Sequence, residues 1–257
     1  MIAKPVCRVF LSRVLVIEFV SSLVIEILSS LALESQVIFK LINSITYILN
    51  NLRTKMNAAK IQLSAEELSL VQNAGWLLTK NTIIEKVFAL FGDIAHEVRD
   101  DFTAKQVIPS AVLVPSPKIS KGENYKGLPW VILDYPRLFN RQDTFAIRTM
   151  FWWGHFFSVT LHLKGKYKQQ YQQNLLNNLP LLAKRQFYLC ISGEEWRHEF
   201  EVDNYRPLTQ LNSSAVEKIL LANDFCKLSA KISLPQWNQS KELLIDLYET
   251  IITTIEH

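Results

Sequence analysis

From Thr144 to Leu163 the chain reads TFAIRTMFW, then WG, then HFFSVTLHL, with bulky apolar side chains returning at every second position. Period-two alternation is the pattern of a strand whose two faces differ in environment. A single strand of that length would exceed the usual span of about three to ten residues. Gly154 is the natural break, as a bulge or a tight turn. Two strands joined so closely must lie antiparallel. Further strand signals are AVLV (111–114), WVILDY (130–135), QFYLCIS (186–192) and RHEFEV (197–202), the last two joined by a Gly-containing turn that reads as a hairpin. Successive strands with few helices between them predict an antiparallel sheet rather than a doubly wound one.

Helices bracket this run. Ser64-Ala-Glu-Glu67 is a capping box, with Leu63 and Leu68 at the staple positions, and predicts a helix to about Leu78. A second helix is expected from Asn81 to Phe102, where Ile84, Val87, Phe88, Phe91, Ile94, Ala95, Val98 and Phe102 form one apolar stripe. A polar helix is expected near 166–178. Two helices are expected to close the chain, the first opened by a capping box at Ser214-Ala-Val-Glu217 with Cys226 on an apolar helix side, the last striped by Leu243, Leu244, Leu247, Ile251 and Ile255. The prediction is an α+β fold: a mostly antiparallel sheet of about five to six strands flanked by N-terminal and C-terminal helices.

Residues 1–55 are of another kind. VLVIEFVSSLVIEILSSLALES (14–35) is long and apolar enough to be weighed as a membrane span. Glu18 and Glu26 argue against it, since an acidic residue at the centre of a span costs about 2.5–3.5 kcal/mol. Glu18, Ser22, Glu26 and Ser29 share one helical face, which also fits an amphipathic segment. QVIFKLINSITYILNNLRTK (36–55) is apolar again, and the charge flanking the two runs is balanced. Met56 opens an ordinary domain start, MNAAKIQLSAEEL. Residues 1–55 therefore read as upstream sequence from a misassigned start, as a membrane-associated helix, or as part of the fold. The domain organisation expected is an apolar extension over 1–55 and a single α+β domain over 56–257.

The net charge of +4 does not mark a nucleic-acid partner. Residues 1–55 hold six basic and three acidic residues, leaving 22 basic against 21 acidic in the rest. Attraction to phosphate backbones needs a clustered excess, and the body lacks one. Three cysteines, Cys7, Cys190 and Cys226, with no CxxC pair, suggest a reducing compartment and a cytoplasmic location, or a membrane-associated one if Met1 is the true start.

Alternation beyond Gly154 puts His155, Phe157, Val159, Leu161 and Leu163 on the core face and Phe156, Ser158, Thr160 and His162 on the outer one. In RHEFEV it puts His198, Phe200 and Val202 inward. Trp152 and Trp153 point to opposite faces. The candidate pocket residues are His155, His198 and Trp153, because two inward histidines among aromatic side chains could border an apolar small-molecule site. Asp134 and Arg137 flank Pro136 at a strand end, where a salt-bridged turn or a site would fit. The SGEE turn (192–195) reads as acidic and exposed. No cofactor loop occurs, and the same parity keeps His155, His162 and His198 from converging on a metal. The expected role is a non-catalytic module binding a small molecule or a protein partner. The alternatives are an enzyme using an inward His as general acid/base and a scaffold tethered to a membrane through residues 14–52.

Overall fold

The structure, a computed structural model, describes residues 18–24, 40–50, 62–105 and 107–256. The chain divides into two units, Met1–Ala74 and Gly75–His257. In the first unit, 18–24 and 40–50 are helical and largely exposed. The rest of the segment weighed as a membrane anchor, 14–17, 25–39 and 51–52, lies outside the described residues. No helix among the described residues is long and apolar enough to cross a membrane.

Helix α1 (Ala65–Gln72) opens with the expected capping box: the Glu67 amide donates to Ser64 Oγ at 3.1 Å, and the Ser64 amide donates to Glu67 Oε2 at 2.8 Å. It ends six residues earlier than the sequence suggests. Asn73 interrupts it, and α2 (Ala74–Lys105) begins at once. The stripe from Ile84 to Phe102 is buried as expected, with only Phe88 partly open.

In the second unit every strand pairing is antiparallel, and the sheet has seven strands in the order β1-β2-β3-β4-β7-β5-β6. They are β1 (Lys118–Tyr125), β2 (Leu128–Phe139), β3 (Thr144–Trp152), β4 (Phe156–Lys164), β5 (Tyr188–Cys190), β6 (Tyr205–Pro207) and β7 (Phe225–Ser233). The α+β reading holds, and β3 starts and stops where its alternation does. Gly154 sits in the β3–β4 turn with φ +75°, a conformation that favours glycine. At Gly122 the reason for glycine is space, because a Cβ there would meet the Trp130 indole at 2.6 Å.

Four expectations about the strands change. AVLV is not a strand but the core of a short helix, α3 (Ser110–Leu113), since so brief an apolar run carries no period of its own. KISKGENY, absent from the strands expected, is the edge strand β1, whose half-exposed, polar side chains hide the pattern. Cys226 lies in β7 rather than on a helix, in a stretch alternating Cys226, Leu228, Ala230 and Ile232 with Phe225, Lys227, Ser229 and Lys231. RHEFEV forms no strand; residues 191–204 run as an irregular strap between β5 and β6.

The remaining helices are α4 (Lys166–Asn177), α5 (Leu179–Lys184), α6 (Ser213–Ala222) and α7 (Ser240–Glu256). Helix α6 is capped by Asn212, whose side chain accepts from the Ala215 amide, instead of by the expected Ser214 box. Helices α2, α4 and α7 contribute to the main core with the face bearing Leu133, Ile147, Phe157, Val159, Leu161 and Leu228. Phe157 is fully buried, its ring 6.4 Å from that of Phe91.

The other face is covered too. Phe156, Ser158, Thr160 and His162, expected to face outward, are all buried. Near the β3–β4 turn this face is apolar, with Ile132, Met150, Trp152 and Phe156 clustered and Phe200 of the strap packed on them. In the middle it is small and polar, where the Thr160 and Ser229 hydroxyls share a hydrogen bond at 2.7 Å. At the far end it is charged.

Candidate functional site

Strand register lays the charged end out in rows. Lys118 of β1 opposes Asp134 of β2, which opposes Arg148 of β3, which opposes Thr160 of β4. In the next row Arg137 opposes Ala146, which opposes His162, which opposes Lys227 of β7. Phe139, Thr144 and Lys164 follow. A bulge between Asp134 and Arg137 inserts one residue, so both side chains belong to the same face. Pro136 stands in that bulge, where a residue without an N–H costs the ladder nothing.

Arg148 is held on three sides. Its Nε and Nη2 donate to the two oxygens of Asp134 at 2.7 and 3.0 Å, and its Nη1 donates to His198 Nε2 at 3.2 Å. A guanidinium can only donate, so His198 Nε2 offers a lone pair and the ring is neutral. Burial first, then the charges of Lys227 and Arg148, hold its pKa well below the usual histidine value. His162 is also pushed down by burial. Its Nε2 lies 3.0 Å from Glu195 Oε1, although among the described residues it has no aligned hydrogen bond.

The strap brings Glu195 to this ring. Glu195 was expected in an exposed acidic turn; instead its side chain is only 15 % exposed, between His162 and the Lys164 ammonium at 2.9 Å. Those two neighbours hold its carboxyl at about 2. Lys227, 1 % exposed, fastens the strap from beneath by donating to the carbonyls of Glu195 at 2.9 Å and Arg197 at 2.6 Å. Burial pulls its pKa to about 8. Farther along, burial pushes the Glu199 carboxyl up, but Tyr125, Lys126 and Arg197 together overcome this and hold it at about 2. Arg197 also forms a two-pronged pair with Asp203 at 2.9 and 3.1 Å.

Beside this layer a cleft of about 360 Å³ opens at the charged end of the sheet. Lys118, Arg137, Arg148 and Lys164 line it, with Asp134 and Glu195 as its carboxylates. Arg148 and Lys164 are each paired with one of these. Lys118 and Arg137 meet no carboxylate within ion-pair range among the described residues; Arg137 Nε donates only to the Ser116 carbonyl at 3.1 Å. Two exposed rings also line the cleft, Trp196 at 55 % and Phe139 at 37 %. They lie 6.2 Å apart, with the Arg148 guanidinium 5.6 Å from the first ring and 5.9 Å from the second. Fixed cations, hydrogen-bond donors and flat apolar surface together can hold an anion.

The structure does not bring His155, His198 and Trp153 together. His155 is not on the core face: it is exposed in the β3–β4 turn, its ring stacked on Trp152 at 3.6 Å. The residue falls one position before β4, where alternation no longer governs direction. His198 lies over the charged face rather than in the helix-side core, because RHEFEV is not a strand and has no parity. Trp153 packs toward the main core while Trp152 joins the cluster on the other face, so the two do point apart. Asp134 and Arg137 do share a site, but Asp134 pairs with Arg148. Arg148, Lys164, Glu195 and Trp196 were missed. Arg148 interrupts the apolar pattern of β3, the one signal that could have raised it.

Among the described residues, no group of three His, Cys, Asp or Glu side chains gathers in a way that could hold a metal ion. Fold and site together define an α+β protein with an antiparallel sheet clad on both faces and a cationic cleft at one end. No protein-family model, no curated protein and no solved structure matches the chain.

Proposed function

We propose that the protein is a binding module for a small anionic molecule, taken up in the cleft between the ends of β2, β3 and β4 and the strap. The observation that carries this reading is the pair Lys118 and Arg137: two cations on one concave surface, neither balanced by a carboxylate among the described residues. Unbalanced like charges that line one cleft repel each other, and a bound anion relieves that repulsion. Arg148, fixed by Asp134 and His198, offers a preorganised wall that need not be ordered on binding. His198 serves this arrangement as a neutral partner whose Nε2 lone pair is committed to Arg148.

Calorimetric titration of the full chain with inorganic phosphate tests the proposal. Saturable binding is expected, weakened at least about tenfold by Arg137→Ala, the loss that matches one charge-assisted hydrogen bond. Absence of saturation, or equal affinity in the variant, would contradict it.

A further inference from the structure

We infer that the anion is a phosphate monoester carried on a planar ring, the chemistry of a mononucleotide; this rests on reading the cleft as an anion site. Charge decides between phosphate and carboxylate. The cleft holds four cations against two carboxylates, an excess of two. A carboxylate would neutralise one of them, whereas a phosphate monoester carries about −1.5 to −2 near neutral pH and neutralises both. Lys118 and Arg137 are the residues that receive it.

Shape decides for the ring. Trp196 is more than half exposed and packs at a 43° tilt beside Phe139 at the cleft, while neither belongs to a buried core cluster. Large apolar rings left open beside a cationic surface act as stacking platforms, and stacking tolerates any base because every base has a π-face. Arg148 lies against both rings, which fixes their orientation before a ligand arrives. The same base and phosphate could come from a free mononucleotide or from the phosphorylated end of a single strand. The near balance of charge over the body beyond residue 55 favours the free molecule.

Affinities of the full chain for inorganic phosphate, ribose 5-phosphate, adenosine, adenosine 5′-monophosphate and a 5′-phosphorylated tetranucleotide test this. The monophosphate is expected to bind at least about tenfold more tightly than ribose 5-phosphate, the gain from stacking one base. Trp196→Ala should erase that gain, bringing the monophosphate to the affinity of ribose 5-phosphate. Equal affinity for the monophosphate and ribose 5-phosphate would overturn the inference while leaving the anion cleft in place. No binding of any phosphate compound would overturn both. A tetranucleotide that binds more than about tenfold tighter than the monophosphate would overturn the assignment to a free nucleotide.

Discussion

Asp134 and Arg148 face each other from neighbouring strands with side chains 9 % and 14 % exposed, the best-formed ion pair at the charged end of the sheet. Removing one partner of a buried pair leaves the other charge desolvated and alone, which costs about 3–5 kcal/mol. Asp134→Ala is expected to destabilise by that amount in urea unfolding, although His198 remains to accept one bond from the guanidinium. A loss below about 1 kcal/mol, the range of exposed pairs, would mean that water reaches this layer. Acid should act on the same layer in two stages. The His162 and His198 pKa values are depressed in the folded protein by burial, so below the ordinary value near 6.5 the unfolded chain binds more protons. The contribution of the two histidines is therefore full above about pH 6.5 and falls as the pH drops below it. Glu195 and Glu199 follow: their contribution is present above the unfolded value near 4.5 and is lost as the pH falls toward about 2. Urea midpoints at pH 8, 5 and 3 should decline at each step. A midpoint unchanged between pH 8 and 5 would contradict the burial of the two rings.

At the scale of elements, the strap over 191–204 turns an ordinary half-open sheet into one with two covered faces. Lys227 is its anchor, and Lys227→Met keeps the length of the side chain while leaving the Glu195 and Arg197 carbonyls without their donor. Each unsatisfied carbonyl costs about 1–3 kcal/mol. The cost should be met by local opening, because few other backbone bonds hold the strap. Hydrogen exchange is expected to quicken over 193–203 and to stay slow in β3 and β4; uniform protection would show that Lys227 is not the anchor. The elements that were legible in sequence are those set by local period: the α2 stripe, the Ser64 box, and the alternation of β3. β7 was equally legible, since FCKLSAKIS alternates throughout, but its proximity to a helical stretch masked it. The strap was not legible, because its position depends on a buried lysine far along the chain. For the same reason the polar face of β4 reads as solvent-facing when its Ser158, Thr160 and His162 are covered. The site was half visible: Asp134 and Arg137 stood out beside Pro136, but only the bulge puts them on one face, and no local pattern announces a bulge.

Taken whole, the molecule separates two tasks across one sheet. Among the described residues, every member of the buried apolar clusters lies between Ile84 and Ile255, within the second unit. The helix-side face holds most of that core, which lets the opposite face carry charge at one end. A cleft on a rigid sheet needs little ordering when a ligand binds, so a small anion can be held with few contacts. The indole N–H of Trp196 reports on that cleft directly. A chain labelled with ¹⁵N-tryptophan gives six indole signals, one per Trp, and the Trp196 signal is identified by its loss in Trp196→Phe. Titration with inorganic phosphate is expected to move that signal saturably, to leave the buried Trp152 signal unmoved, and to need at least about tenfold more phosphate to move Trp196 in Arg137→Ala. A Trp196 signal that stays in place up to about 10 mM phosphate, well beyond a Kd near 1 mM, or that moves equally in Arg137→Ala, would contradict the assignment of the cleft as an anion site.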